Sequence, residues 1–271
     1  MQAGVLYRRR PRMSAESARI ASLVPSLTEL LVALGLGPRL VARTGFCVHP
    51  ADAVASVPKV GGTKDVNLAK LRRLAPSHVL LNIDENRRET ADALSAFVPH
   101  VIVTHPCGPR DNLELIDQLA HAFADEPGVA ERAAALRAEL TQELGLCAAG
   151  HWEPQRVLYL IWRDPWMTVA RDTYIARMLA TVGWQTQPPI AGGPCGASRY
   201  PVVAMGAPWL ASVDRVLLSS EPYCFDAAHF AEAQALCPGA RVQPVDGELI
   251  SWYGPRAVAG LRYLRALAGS P

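Results

Sequence analysis

The sequence predicts an α/β protein made of two similar small units bridged by one long helix. Three observations predict it. Short apolar runs alternate with amphipathic stretches from Arg19 onward, and the nearly continuous apolar character of those runs suits parallel strands covered on both faces. The alternation restarts near Arg156 in the same order. Between the halves, "PGVAERAAALRAELTQELGLC" (127–147) holds about 20 residues of strong helix formers with a single Ala and Leu face. At about 1.5 Å per residue such a helix spans about 30 Å, the diameter of a small domain.

In the first half, "RIASLV" reads as a strand. Ser26 then starts a helix with Glu29 three positions on, a capping box. Leu27, Leu30, Leu31 and Leu34 form its apolar stripe and Gly35 ends it. "RLVART" is a second strand. Asn67 caps a helix with Leu68, Leu71 and Leu74 on one face and Pro76 as its stop. "HVLLNI" and "HVIVTH" are buried strands separated by a helix over "ENRRETADALSAF".

The second half repeats this order. "RVLYLIW" is a strand and "TYIARMLATVGW" a helix ending at Gly183. "LASVDRVLLSSEPY" echoes "LAPSHVLLNIDENR", and "ARVQPVDGEL" parallels "PHVIVTHPCG". The expected organisation is an arm over 1–18 without apolar periodicity, a first lobe over 19–126, a connecting helix over 127–150 and a second lobe over 151–271.

Composition narrows the function. Half of the 271 residues are apolar, 19% are charged, and the formal net charge is +2, so no nucleic-acid partner is expected. The one basic cluster, Arg8, Arg9, Arg10 and Arg12, sits in the arm, upstream of a second methionine at 13. No run reaches the roughly 18 apolar residues of a membrane span. The first apolar run, interrupted by Pro25 and Glu29, does not read as an export signal. A cytoplasmic location is therefore expected, with a periplasmic one as the alternative should the start site differ. Six separated cysteines include no C-x-x-C pair, which argues for free thiols rather than a zinc or thioredoxin motif.

In open α/β sheets, ligands bind beyond the carboxyl ends of the strands. Those ends supply the candidate ligand-binding residues. In the first half they are Pro25, Ser26, Phe46, His49, Thr63, Lys64, Asp84, Glu85 and Arg87; in the second they are Trp162, Arg163, Trp166, Tyr200, Glu221, Tyr223, Glu248, Trp252 and Tyr253. Large aromatics beside arginines and carboxylates suit a flat, partly apolar ligand with polar edges. Plainer roles stand beside these. Trp184 and Trp209 read as core, Cys47 and His49 make an incomplete metal site, Glu85 and Arg87 suit a solvated pair in a first helical turn, and Asp84 and Asp246 suit helix caps. "VGGTKDVNLAKL" (60–71) lacks the order and helix start of a phosphate-binding loop. No catalytic or metal residue is assigned. No G-x-S-x-G elbow supports a serine triad.

The order "RIASLVPSLTELLVALGL…VPKVGGTKDVNLAKLRRLAPSHVLL", then a long helix, then a second lobe, resembles the class III solute-binding proteins. These are the vitamin B12 and ferric-siderophore receptors of ABC importers, or helical-backbone metal receptors. The Pro-Ser-x-Thr-Glu turn at 25–29 and the Gly-Gly…Asn-Leu block at 61–68 carry the resemblance. It implies two Rossmann-like lobes joined by a single long helix, a ligand cleft between the lobes, and Thr63 and Lys64 among its lining.

The resemblance further implies a monomeric binding protein, not an enzyme. It would need no cofactor and would hold a corrinoid or an iron chelate as ligand. Family members that dock on an importer carry a glutamate on each lobe; here Ala69 holds the first position, and Met205 or Gly206 the second. Permease docking is accordingly not expected. Two alternatives stay open: the substrate-binding component of an ABC importer for vitamin B12 or a ferric siderophore, and an enzyme acting on a tetrapyrrole or cobamide.

Overall fold

The computed structural model describes residues 17–269; the basic cluster at 8–12 and Met13 lie outside them. In chain order the first elements are β1 (Ile20–Ser22), α1 (Pro25–Ala33), β2 (Leu40–Arg43), α2 (Ala51–Val54), α3 (Leu68–Leu74), β3 (His78–Asn82), α4 (Arg88–Ser95), β4 (His100–Thr104), α5 (Asp111–Ala122) and α6 (Val129–Ala149). They are followed by β5 (Gln155–Leu160), α7 (Tyr174–Ala180), β6 (Trp184–Thr186), β7 (Arg215–Ser219), α8 (Ala227–Leu236), β8 (Arg241–Val245), α9 (Gly247–Ser251) and α10 (Arg256–Ala268).

The strands form two separate sheets of identical design. One has the order β2-β1-β3-β4 and the other β6-β5-β7-β8, and every pairing is parallel. Parallel sheets need cover on both faces, and the central strands show it. Ile20, Ala21, Val79 and Leu80 are sealed from solvent in the first sheet, as are Val157, Leu158, Tyr159 and Leu160 in the second. Pro244 is tolerated because β8 lies at a sheet edge, where a missing backbone donor costs least. In both sheets the strand order reverses at the first strand, creating a switch point between β1 and β3 and another between β5 and β7.

The described residues form two compact units, 17–105 with 113–138 and 106–112 with 139–269. The 21-residue α6 is continuous, its first half packing within the first unit and its second within the other. Segment 106–112 belongs to the second unit although it directly follows the first sheet.

Local signals account for most helix ends. Asn67 accepts from the Lys70 amide at 2.8 Å, and α3 stops at Ala75, in a left-handed conformation with φ 45°. The following Pro76 disfavours a helical Ala75. The expected capping box of α1 does not form. Val24 is the N-cap, Pro25 opens the helix, and Ser26 is buried within its first turn. Proline at the first helical position is preorganised and has no amide to satisfy, so the start moves one residue earlier. Arg87 is likewise the N-cap of α4 rather than part of its first turn, and Asp84 lies upstream of that cap. Asp246 does cap α9, accepting from the Leu249 amide.

Candidate functional site

At the carboxyl ends of the first sheet, Asn86 ties three loops together. Its Nδ2 donates to the Thr63 carbonyl at 2.9 Å and the Leu23 carbonyl at 3.3 Å, while its Oδ1 accepts from the Asn82 amide at 2.8 Å. Lys64 Nζ donates to the Asp84 carbonyl at 2.8 Å, and His105 Nε2 lies 3.3 Å from Asp84 Oδ2. Arg87 pairs with Asp65 at 3.3 Å. The loop over 61–66 is a tight turn, with the Gly62 amide bonded to the Asp65 carbonyl. Gly61, at φ +103°, cannot be replaced without strain: a Cβ there would lie 2.2 Å from the Asp65 oxygen. Lys64, Asp65 and the Thr63 carbonyl of this loop thus bond within the protein.

Phe46 is 63% exposed in this unit, and Val48 and Ile83 are exposed as well. Cys47, by contrast, is fully buried, with its sulfur 3.1 Å from Thr44 Oγ1 and 3.8 Å from the Ser22 carbonyl. Burial pushes its thiol pKa up. His49 is half-buried ahead of Pro50, as are Pro25 and Glu85. Among the described residues no group of three or more His, Cys, Asp or Glu side chains is placed to hold a metal ion.

The second sheet carries an aromatic cluster at its switch point. Trp162, 42% exposed, meets Tyr223 edge-on with ring centroids 5.5 Å apart. Tyr223 packs on Phe225 at 4.8 Å, and its hydroxyl lies 3.1 Å from His229 Nε2. Trp166 stacks on Phe225 at 5.9 Å. The Arg163 guanidinium sits 4.8 Å above Trp166 and is held by Glu232 at 2.7 Å and by Asp164. Phe225 and His229 escaped the sequence reading. They lie in the loop and first turn of α8, whose signal is Asp226, which forms a capping box with His229.

Trp166 itself is not an open face. It is buried at 6% exposure among Leu158, Leu160, Val203 and Leu218. Apart from the Arg163 guanidinium over one face and His229 at 6.4 Å, its surroundings are apolar and make it part of the core, and Trp162 is the exposed ring. Tyr253 is similarly buried, edge-on to Tyr174 at 5.9 Å. Tyr200, half-exposed, closes a 3-10 turn over Ala197–Arg199.

Beyond β7 and β8, Glu221 Oε1 accepts from Ser251 Oγ at 2.6 Å and Trp252 Nε1 at 2.7 Å. Burial raises the Glu221 pKa, with the Glu248 charge adding to it; the two donors and Arg256 offset this in part. Arg256 pairs with Glu248 at 2.5 Å and lies 4.6 Å over the Trp252 ring. A separate hollow of about 490 Å³ in the second unit is lined by Arg110, Asp111, Cys147, Arg177 and Thr181 among others. None of the candidate residues lines it.

Two four-stranded parallel sheets of one design, each with its loops gathered at a switch point, define a duplicated open α/β protein. The chain belongs to the periplasmic binding protein family, whose model matches residues 20–219. It is similar to the vitamin B12-binding protein of Pectobacterium atrosepticum, 25% identical over 172 residues that cover 61% of this chain and 60% of that protein. It is 30% identical to the vitamin B12-binding protein of Yersinia pestis over 124 residues, 46% of this chain and 43% of that one. The matched stretch thus spans about half the length of these curated relatives.

Among solved structures, the periplasmic vitamin B12 binding protein BtuF of Vibrio cholerae superimposes with a TM-score of 0.74 at 20% identity, covering 93% of this chain and 99% of that one. The periplasmic heme binding protein HutB of the same organism gives 0.75 at 20% identity with the same coverages. At such identity the likeness establishes the fold. The expected cytoplasmic location is corrected by these findings, because the family and its structural neighbours are periplasmic. That expectation leaned on an export signal not being visible in the sequence, which says nothing of where a family operates. No helix among the described residues is long and apolar enough to cross a membrane.

Proposed function

We propose that the chain is a solute-binding protein whose ligand is a corrinoid or a similar flat metal chelate. One observation carries this reading: the exposed edge of Trp162, backed by Tyr223, stands at the switch point between β5 and β7, where open α/β sheets receive ligands. Exposed rings with rigid backing offer a flat apolar surface at little entropic cost. The similarity to vitamin B12-binding proteins supports the same ligand class. Taken by itself, the first unit also exposes apolar side chains at its strand ends, with Phe46 foremost.

The chelate is cargo, and the residues described hold it by its ligand periphery rather than by its metal. The test is titration of purified protein, followed by tryptophan fluorescence, with cyanocobalamin, cobinamide, haemin, and ferric catecholate and hydroxamate chelates. Quenching that saturates below about 10 μM, near −7 kcal/mol, is the expected result for a corrinoid. Binding no tighter than about 1 mM by every member of the panel overturns the reading.

A further inference from the structure

We infer that Glu221 selects the polar rim of the ligand, its Oε2 accepting a hydrogen bond from an uncharged N–H or O–H donor such as a side-chain carboxamide. This assignment rests on the binding-protein reading above and adds to it the chemistry of the ligand edge.

Glu221 follows β7 directly, so it stands at the same switch point as Trp162. Its two oxygens are treated differently. Oε1 is fixed by Ser251 and Trp252, whereas Oε2 takes no bond from any described residue and is not among the atoms sealed without a partner. The backbone beneath the carboxylate is held in place. Ser219 Oγ, bonded to the Tyr159 hydroxyl at 2.8 Å and donating to the Glu221 carbonyl at 2.6 Å, holds the backbone. Gly247 closes in from α9, where a Cβ would lie 2.4 Å from Ser219 Oγ and 2.8 Å from Glu221 Cγ. A preorganised acceptor with one open oxygen discriminates strongly, because a partner that cannot donate leaves it desolvated and unpaired.

The surrounding charges decide the sign of the partner. The candidate cations of this unit are already engaged: Arg163 by Asp164 and Glu232, and Arg256 by Glu248. Among the described residues no cation forms an ion pair with half-buried Glu221, and the Arg256 charge that acts on it is paired with Glu248. An anionic rim placed against it meets like charge in a low-dielectric corner, while a carboxamide N–H satisfies it.

The experiment compares cyanocobalamin, its separated monocarboxylic acids (each with one rim carboxamide hydrolysed) and haemin, on wild type, Glu221→Gln and Glu221→Ala. Wild type is expected to bind cyanocobalamin at least about tenfold more tightly than one of the monoacids. Glu221→Gln should narrow that ratio by about tenfold, and Glu221→Ala should weaken cyanocobalamin by about tenfold or more. The wild-type arm needs no substitution, so a poorly folded variant does not spare the proposal. Corrinoid binding by wild type that treats amide and every acid alike, or a ratio unchanged in Glu221→Gln, overturns the role of Glu221 and leaves the binding reading intact. Absence of binding by wild type to corrinoids and haemin overturns both.

Discussion

Arg265 on α10 reaches Glu143 in the second half of α6 at 2.5 Å, and Arg262 holds the other carboxylate oxygen at 2.7 Å. The Glu143 side chain is only 4% exposed. Burial alone would raise its pKa, but the hydrogen bonds and charges of the two guanidiniums outweigh it and bring the value below the ordinary 4.5. A depressed folded pKa means the stabilisation is present above the unfolded value and is lost as pH falls through the folded one. Glu143→Ala should therefore lower unfolding stability by about 2 kcal/mol at pH 7. Urea denaturation should show the gap between variant and wild type closing below about pH 4. A gap that persists undiminished at pH 2.5 would refute the ionic origin.

His78 and His100 make the opposite case at the amino ends of β3 and β4. Their rings stack with centroids 4.5 Å apart, and Phe123 lies 4.9 Å from His78. Burial first, and the neighbouring His100 second, lower the His78 pKa to about 4, against a smaller opposing effect of Glu126. The folded value lies under the unfolded one, so stability is full above about pH 6.5 and declines as pH falls toward 4. Between those limits wild type should lose about 2–3 kcal/mol from this residue. His78→Gln should flatten the decline measured by urea titration at pH 7.5, 6 and 5. Equal slopes for the two proteins would rule His78 out.

The sheets were legible because their strands are apolar throughout and recur in one order; the repeat in sequence becomes a repeat in strand order. What escaped was held together by tertiary contact. The strand β6 is three residues long, and its core residue Trp184 reads equally well as a helix end. The helices α5, α8 and α10 were passed over in favour of the loops beside them. At the site, residue types at strand ends could be listed, but exposure could not. Trp162 and Trp166 are four residues apart in one loop, one open and one buried. Asn86 is invisible as a tie because its three bonding partners lie in three different segments.

That contrast between the two tryptophans is itself testable. Trp162→Ala should leave thermal stability nearly unchanged and weaken corrinoid binding roughly two- to tenfold, the equivalent of about 0.5–1.5 kcal/mol. Trp166→Ala removes a ring enclosed by the core and should cost about 3–5 kcal/mol of stability. Paired melting curves and ligand titrations separate the effects. If Trp166→Ala stays as stable as wild type while losing affinity, the roles are reversed.

Coupling to an importer is the remaining question, and surface chemistry supplies an expectation. Ala69 is exposed in the first turn of α3, where the resemblance to importer-coupled receptors calls for a glutamate. The same helix exposes Arg72 and Arg73. In the second unit the resemblance puts the other glutamate at Met205, which is 70% exposed, or at Gly206. Complementary charges at a docking surface set orientation and association rate more than affinity, so a permease surface built to receive those glutamates would meet neutral or positively charged groups here. Ligand-loaded wild type should therefore fail to stimulate the ATPase of a vitamin B12-type importer in liposomes. Ala69→Glu combined with Met205→Glu should produce stimulation that fades as salt rises from 50 to 300 mM, because exposed charge pairs are screened over about 10 Å at 0.1 M. The substitution belongs at Met205 rather than Gly206, whose φ of +77° would strain any side chain. Stimulation by wild type equal to that of an importer's own receptor would show that this chain docks without either glutamate.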